Sequence, residues 1–245
     1  MSTLEVLPDQ SWRRVLCVVA HPDDMEYGAS AAVATWTDRG IEVGYLLLTS
    51  GEAGMQRDPA EVGPLRAAEQ RAACDTVGVT SLTILDHPDG MLVPGLELRR
   101  DIAREVRRFK PDAVITANFD LEAYGGFNQA DHRAAGLAAV DGVRDADNPW
   151  VFRELAETEG LPKWHTRWIL IAGHPDATHG VPVDEDAVAK SVASLQCHQA
   201  YLADLPGHPD PAEFIPEILA DGGNAMGADH AVLFQAHDLG PGLNG

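Results

Sequence analysis

Basic residues are scarce in this chain. Its 245 residues hold 18 Lys and Arg against 38 Asp and Glu, a formal net charge of −20. The clustered cations on which binding to a phosphate backbone rests are missing, which argues against nucleic acid as a partner. The surplus acid reads as a solvated face and says little about substrate. Cysteine is also thin: Cys17, Cys74 and Cys197 stand far apart without a CxxC pair, so they read as small buried hydrophobes of a reduced compartment. No apolar run reaches membrane-spanning length. The first dozen residues, with Pro8, Asp9 and other acids, hold no signal-peptide core, so a cytoplasmic protein is expected. Internal repeats and low-complexity tracts are absent too, and one compact domain over 1–245 is the expectation for a chain with 45% hydrophobic residues.

What is present is a regular alternation of strand and helix signals, the mark of parallel βαβ units. Strands are expected over 14–20, 41–49, 82–85, 113–116 and 166–172. Helices are expected over 26–39, 64–77, 96–109, 131–143 and 184–202. The segment 145–165 reads as irregular, and 206–227, rich in Pro, Gly and acids, reads as a mobile surface loop. The near-continuous apolar content of the first strand fits a parallel sheet covered on both faces, a Rossmann-like three-layer α/β sandwich. Ligands of such sheets collect at the carboxyl ends of the strands.

Polar residues fall at those ends. The first strand runs into His21, Pro22, Asp23 and Asp24, the second into Ser50, Gly51 and Glu52, and the third into Asp86, His87, Pro88 and Asp89. The fourth leads into a long loop that reaches Asp131 and His132. His21 and Asp24, three apart across a strand-to-helix turn, can converge on one divalent cation of zinc type while Asp23 points elsewhere. Helix capping would account for one aspartate but not for the histidine and the second carboxylate. His132, arriving at a helix start on the same edge, completes a set of two imidazoles and one carboxylate with an open position.

In order and spacing these motifs resemble the zinc-dependent N-deacetylases of the PIG-L/LmbE type. The likeness rests on Ala20-His21-Pro22-Asp23-Asp24, Thr49-Ser50-Gly51-Glu52-Ala53-Gly54, Arg66-Ala67-Ala68-Glu69 with residues 85–91, and Asp131-His132-Arg133. The resemblance implies a metal-dependent hydrolase that removes an acetyl or other acyl group from the amide nitrogen of an N-acetylglucosamine-type conjugate. It implies that His21, Asp24 and His132 ligate Zn2+, or another divalent ion such as Fe2+, that Asp23 is the general base, and that Glu52, Arg66 and Asp89 line the sugar site. His198 lies in a segment similar to the family's late helix and is expected to be structural. The implied partner is a small amino-sugar conjugate; a homo-oligomer is left open. Two other readings stand beside this one: an amidase of larger thiol or glycoside conjugates using the same metal site, and a sugar-binding protein without turnover.

The chain departs from the family at one place. Where the family often carries a histidine three residues before the third ligand, Gln129 stands here, and an amide donates a hydrogen bond but carries no positive charge. Gln129 is expected to stabilise the oxyanion, with His230 of the tail as the alternative catalytic residue. His87, His165, His174, His179, His208 and His237 match no motif, and most are expected to be ordinary loop or surface residues. Segments 145–165 and 206–230 are expected to shape the substrate mouth.

Overall fold

A computed structural model describes residues 4–242. In chain order the elements are β1 (Glu5–Val6), β2 (Arg14–Val19), α1 (Asp24–Gly28), α2 (Ser30–Asp38), β3 (Glu42–Leu47), α3 (Pro59–Thr76), β4 (Ser81–Ile84), α4 (Leu96–Phe109) and β5 (Ala113–Ala117). A small hairpin, β6 (Glu122–Ala123) and β7 (Gly126–Phe127), precedes α5 (Ala130–Ala146) and α6 (Arg153–Glu157). The chain closes with β8 (Trp168–Ala172), β9 (His179–Val183), α7 (Glu185–Gln196), α8 (Gln199–Ala203), α9 (Pro211–Met226) and β10 (His230–Asp238).

Eight strands form one sheet in the order β1-β9-β10-β8-β5-β2-β3-β4. Every neighbouring pair is parallel except those of β10, which runs antiparallel to β8 and to β9. The expected mostly parallel sandwich is therefore the fold. Its cause is visible in β2, whose side chains alternate between two cores. Val15, Cys17 and Val19 join Trp36, Val33 and Tyr45 on one face. Leu16, Val18 and the following Ala20 join Ile102, Val106 and Ala138 on the other. A strand buried on both faces has no polar alternation, which is why it reads as an unbroken apolar run.

Several elements differ from the sequence expectation. Helix α3 begins at Pro59 rather than at 64, because the Asp58 side chain accepts from Ala60 N and Pro59 occupies the first turn, where a missing N–H costs nothing. The helix expected over 26–39 is broken at Ala29, and that over 184–202 breaks at Cys197–His198 into α7 and α8. The largest correction is the segment 206–227, which is mostly the helix α9 rather than a loop. Its breaker residues sit where helices tolerate them: Asp210 caps Ala212 N, Pro211 lies in the first turn, and Gly227 closes the helix with φ 72°. Gly222 lets α9 approach β10, since a Cβ there would collide with the Ala231 carbonyl oxygen.

Segment 145–165 does not shape a mouth. The Arg107 guanidinium donates to the carbonyls of Asp145, Ala146, Asn148, Val151 and Phe152, and Trp164 Nε1 donates to Pro111 O just before β5. These bonds tie the segment to the amino-terminal edge of the sheet, opposite the loops that carry the polar motifs. The three cysteines are free, Cys17 and Cys74 buried.

Candidate active site

The carboxyl ends of β2, β3 and β4 and the start of α5 bring the expected motifs together. At the end of β2 the chain turns sharply: Asp23 adopts φ 86°, a left-handed conformation uncommon for any residue but glycine. The turn sends neighbouring aspartates in different directions. Asp24 faces the histidines, with Oδ1 3.1 Å from His132 Nε2 and Oδ2 3.8 Å from His21 Nδ1. Asp23 faces Arg66, whose Nη2 donates to its Oδ2 at 3.0 Å. The Asp23 backbone N–H donates to Gln70 Oε1, and the Tyr201 hydroxyl faces the same carboxylate.

Ligand atoms of His21, Asp24 and His132 lie within 4.8 Å of one another, and so do those of His21, Asp89 and Asp131. The two groups differ in what their atoms already do. Both Asp131 oxygens accept backbone N–H groups, from Gly90 at 2.7 Å and Leu92 at 3.1 Å, and Asp89 Oδ2 accepts from Ala53 N. These carboxylates also face His21 Nε2, Asp89 Oδ1 at 2.9 Å and Asp131 Oδ2 at 3.5 Å. His132 Nδ1 is likewise engaged by Asn128 Oδ1 at 3.0 Å. In each histidine an outward nitrogen is tied to an oxygen acceptor while the inward one faces Asp24, the arrangement that orients an imidazole lone pair toward a cation. The residues present therefore fit a divalent metal held by His21, Asp24 and His132, with Asp89, Asp131 and Asn128 as outer partners.

The electrostatics agree. Asp23, Asp24, Asp89 and Asp131 crowd into a region whose permanent side-chain cation is Arg66. Burial alone would lower the pKa of His21, but Asp131, Asp24 and Asp89 outweigh it and hold the imidazole well above its usual range. Burial opposes ionisation of Asp24, yet His132 and His21 carry it far below the ordinary carboxylate value. Burial pushes Asp23 up to about 7 against the pull of Arg66. The cluster is built to receive positive charge, which a bound cation would supply.

Three residues expected to line the sugar have other work here. Arg66 is buried and donates to Gly51 O and Pro22 O as well as to Asp23, with its guanidinium 4.0 Å above the Tyr201 ring. Glu52 accepts from Ser50 Oγ and from Asp89 N. Asp89 orients His21. All three brace the loops that hold the motifs.

Among the described residues neither Gln129 nor His230 bonds to the cluster. The Gln129 side chain is exposed at the cap of α5 and makes no hydrogen bond among the described residues. His230 opens β10, opposite Val183, with its Nδ1 3.6 Å from Glu185. A cavity of about 560 Å3 instead places Asp24 and His132 in one wall with Tyr27, Tyr124 and His174. His174 follows β8; its Nδ1 accepts from Asp176 N and its Nε2 lies 3.0 Å from Asp120 Oδ2. With Nδ1 accepting, Nε2 carries a proton that faces Asp120. Sequence spacing offered no signal for His174, because the cavity wall unites loops from β2, β5 and β8. His198 is fully buried, and its ring nitrogens have no hydrogen-bond partner among the described residues, with Nε2 3.8 Å from Glu26 Oε2.

Known proteins resemble the chain in sequence and in fold. The PIG-L family of GlcNAc-PI de-N-acetylases matches residues 16–143. A diacetylchitobiose deacetylase of Thermococcus kodakarensis is 32% identical over 145 residues, covering 58% of this chain and 53% of that protein; the match thus spans about half the length of that relative. A 1D-myo-inositol 2-acetamido-2-deoxy-alpha-D-glucopyranoside deacetylase of Streptomyces avermitilis is 27% identical over 263 residues, covering 94% of this chain and 83% of that protein. The solved structure of the N,N'-diacetylchitobiose deacetylase of Pyrococcus horikoshii superposes with a TM-score of 0.83 at 22% identity, covering 94% of this chain and 86% of that one. It shares the fold.

Proposed function

The chain belongs to the PIG-L family of GlcNAc-PI de-N-acetylases, and from that membership we propose that it is a metal-dependent hydrolase that removes an acyl group from the amide nitrogen of an N-acetylglucosamine-type conjugate. One observation carries the reading: two outward-tied imidazoles and a carboxylate converge beside a separate buried carboxylate, Asp23, that faces Arg66 instead of the histidines. A binding protein has no use for that second carboxylate. The relatives named above, deacetylases of acetamido sugars, support the substrate class.

His21, Asp24 and His132 would hold the ion, and the mixed nitrogen and oxygen donors suit zinc or another divalent ion such as Fe2+. When bound, the ion supplies Lewis acidity toward the amide carbonyl and lowers the pKa of water. Asp23 takes the proton from the attacking water and returns it to the departing amine. A base poised near neutrality serves both steps, and a neighbouring dication favours its ionised form. Arg66 fixes the direction of the Asp23 carboxylate from behind, and Gln70 holds the Asp23 backbone N–H. Asp89 and Asp131 keep the His21 ring from rotating. The free cysteines support a reducing, cytoplasmic setting, and no described helix is long and apolar enough to cross a membrane.

The test is acetate release from diacetylchitobiose and from an N-acetylglucosaminyl inositol by the zinc-loaded protein, with the chelated protein as control. Equal rates in the two preparations, or no release from either sugar, would overturn the reading.

A further inference from the structure

The turn that parts Asp23 from Asp24 is held from outside its own helix. Asp23 stands at φ 86° and ψ −22° at the start of α1, without a side-chain cap, and a residue with a side chain keeps that left-handed conformation only where its surroundings impose it. Its N–H donates to Gln70 Oε1 of α3 at 2.9 Å. A backbone N–H can only donate, so Gln70 must present its oxygen there and its amide nitrogen on the other side. On that side Glu26 Oε1 accepts from Gln70 Nε2 at 3.1 Å, and Ser194 Oγ of α7 donates to the same oxygen at 3.3 Å. Glu26 also closes the circuit through its backbone, since its N–H donates to Asp23 O at 2.9 Å. Asp23, Gln70 and Glu26 are all buried, so water has little access to replace these bonds. Glu26 is poorly satisfied for a core residue: its Oε2 has no hydrogen-bond partner among the described residues and lies 3.8 Å from His198 Nε2. A buried carboxyl kept in that state calls for a reason beyond stability.

We propose that Gln70 and Glu26 are positioning residues of the hydrolase, which hold Asp23 in its left-handed turn and so aim the carboxylates of Asp23 and Asp24 at different targets. Neither touches the reacting atoms. The proposal rests on the hydrolase reading above and deepens it by naming what keeps the two carboxylates apart. Without the hold, residue 23 relaxes toward a right-handed backbone, because only glycine adopts a positive φ without steric cost. Relaxation swings the Asp23 carboxylate off Arg66 and carries Asp24 away from His21 and His132. A displacement of about 1 Å in a reacting group can cost on the order of 100-fold in rate. The loss falls on kcat rather than on KM, because the bonds act on the groups of the reaction.

Exchanging the two side chains tests the pair in the zinc-saturated full chain, with acetate release from diacetylchitobiose and from an N-acetylglucosaminyl inositol as the assay. Gln70→Glu still accepts from the Asp23 N–H but sets two carboxyl groups face to face, and Gln70→Met removes both bonds at similar volume. Each should lower kcat by about tenfold or more while KM changes by less than about threefold. Adding Glu26→Gln to Gln70→Glu restores the circuit with its chemistry reversed: the introduced amide donates to the introduced carboxylate, which accepts from the Asp23 N–H. The double variant should therefore return kcat to within roughly threefold of wild type, a coupling that independent sites do not show. A core that needs only packing would lower the melting temperatures of the single variants and leave kcat of the folded protein unchanged. That outcome overturns the proposal, as does a folded double variant no faster than Gln70→Glu. If the wild-type protein releases acetate from neither sugar, the hydrolase reading has failed, and the zinc Kd then tests the turn alone. A Kd raised about tenfold or more in both single variants and restored in the double supports the proposal; a Kd equal to wild type in every variant overturns it. Should the single variants not fold, amide exchange in the wild-type protein decides. An Asp23 N–H protected like the neighbouring sheet supports the proposal, and one that exchanges like an open amide overturns it.

Discussion

Among single residues, the decisive division is between Asp23 and Asp24, neighbours with opposite surroundings. Loss of His21, Asp24 or His132 to alanine should drop bound metal from about one ion per chain to a small fraction, because two remaining ligands hold an ion poorly. Asp23→Asn should keep the metal and lower kcat by roughly 100-fold to 10,000-fold, the usual worth of a positioned general base. Elemental analysis beside steady-state kinetics checks both, and an Asp23→Asn enzyme of near wild-type rate would reduce Asp23 to a turn residue. Gln129→Ala and His230→Ala should stay within about twofold of wild type, since one side chain is exposed and the other faces Glu185. His174→Ala should likewise stay within a few-fold of wild type, since both ring nitrogens are bonded within the protein. A slow Gln129→Ala would restore to the amide the electrophilic role expected of it.

Between elements, a buried polar contact joins α1 to α3 and α7. Glu26 Oε1 accepts from Gln70 Nε2 and Ser194 Oγ, its Oε2 has no hydrogen-bond partner among the described residues, and burial pushes its carboxyl up to about 7. Burial lowers His198 to about 3, so the adjacent imidazole is neutral and offers no charge in return. A carboxyl with a raised folded pKa binds more protons folded than unfolded. Its cost is therefore absent below about pH 4.5, grows as pH rises toward 7 and is complete above it. Glu26→Gln should accordingly stabilise the metal-stripped protein at pH 8, on the order of 3 kcal/mol, and leave it unchanged near pH 4. Denaturant melts at the two pH values read this directly; a gain equal at both would show that packing, not charge, is at stake. The contact of α9 with β10 makes a second case. Gly222→Ala forces a methyl against the Ala231 carbonyl and should lower the melting temperature by roughly 2 to 12 °C, from an overpacking cost of about 1–3 kcal/mol.

For the whole molecule, the candidate metal site ties the ends of β2 to the start of α5 across the sheet edge. Metal that binds only the folded chain should stabilise it by about 2.7 kcal/mol at a hundredfold excess over Kd, a rise of roughly 5 to 11 °C in melting temperature. Calorimetry with and without chelator checks this, and a melting temperature indifferent to both zinc and chelator would count against the site. With a net charge of −20 the molecule also draws cations toward itself, so the apparent affinity should weaken as salt rises.

Local patterns by themselves determined the five parallel strands β2, β3, β4, β5 and β8 and marked the candidate metal motif. The apolar run of β2 needs only burial on both faces to read as it does, and His21, Asp24 and His132 stand at recognisable positions after a strand and at a helix start. The same patterns misread α9, because Pro211 and Gly227 are helix-end residues that look like breakers until the caps are seen, and they passed over β10, which is half polar. Contacts between distant segments were decided by the tertiary structure alone: Arg66 reaching back to Asp23, Asp89 and Asp131 engaging His21, and His174 entering the cavity wall while Gln129 turns outward. Spacing along a chain specifies which residues share an element. Which side chain meets which across elements depends on how loops from β2, β4, β5 and β8 close over one sheet edge, and that is a property of packing.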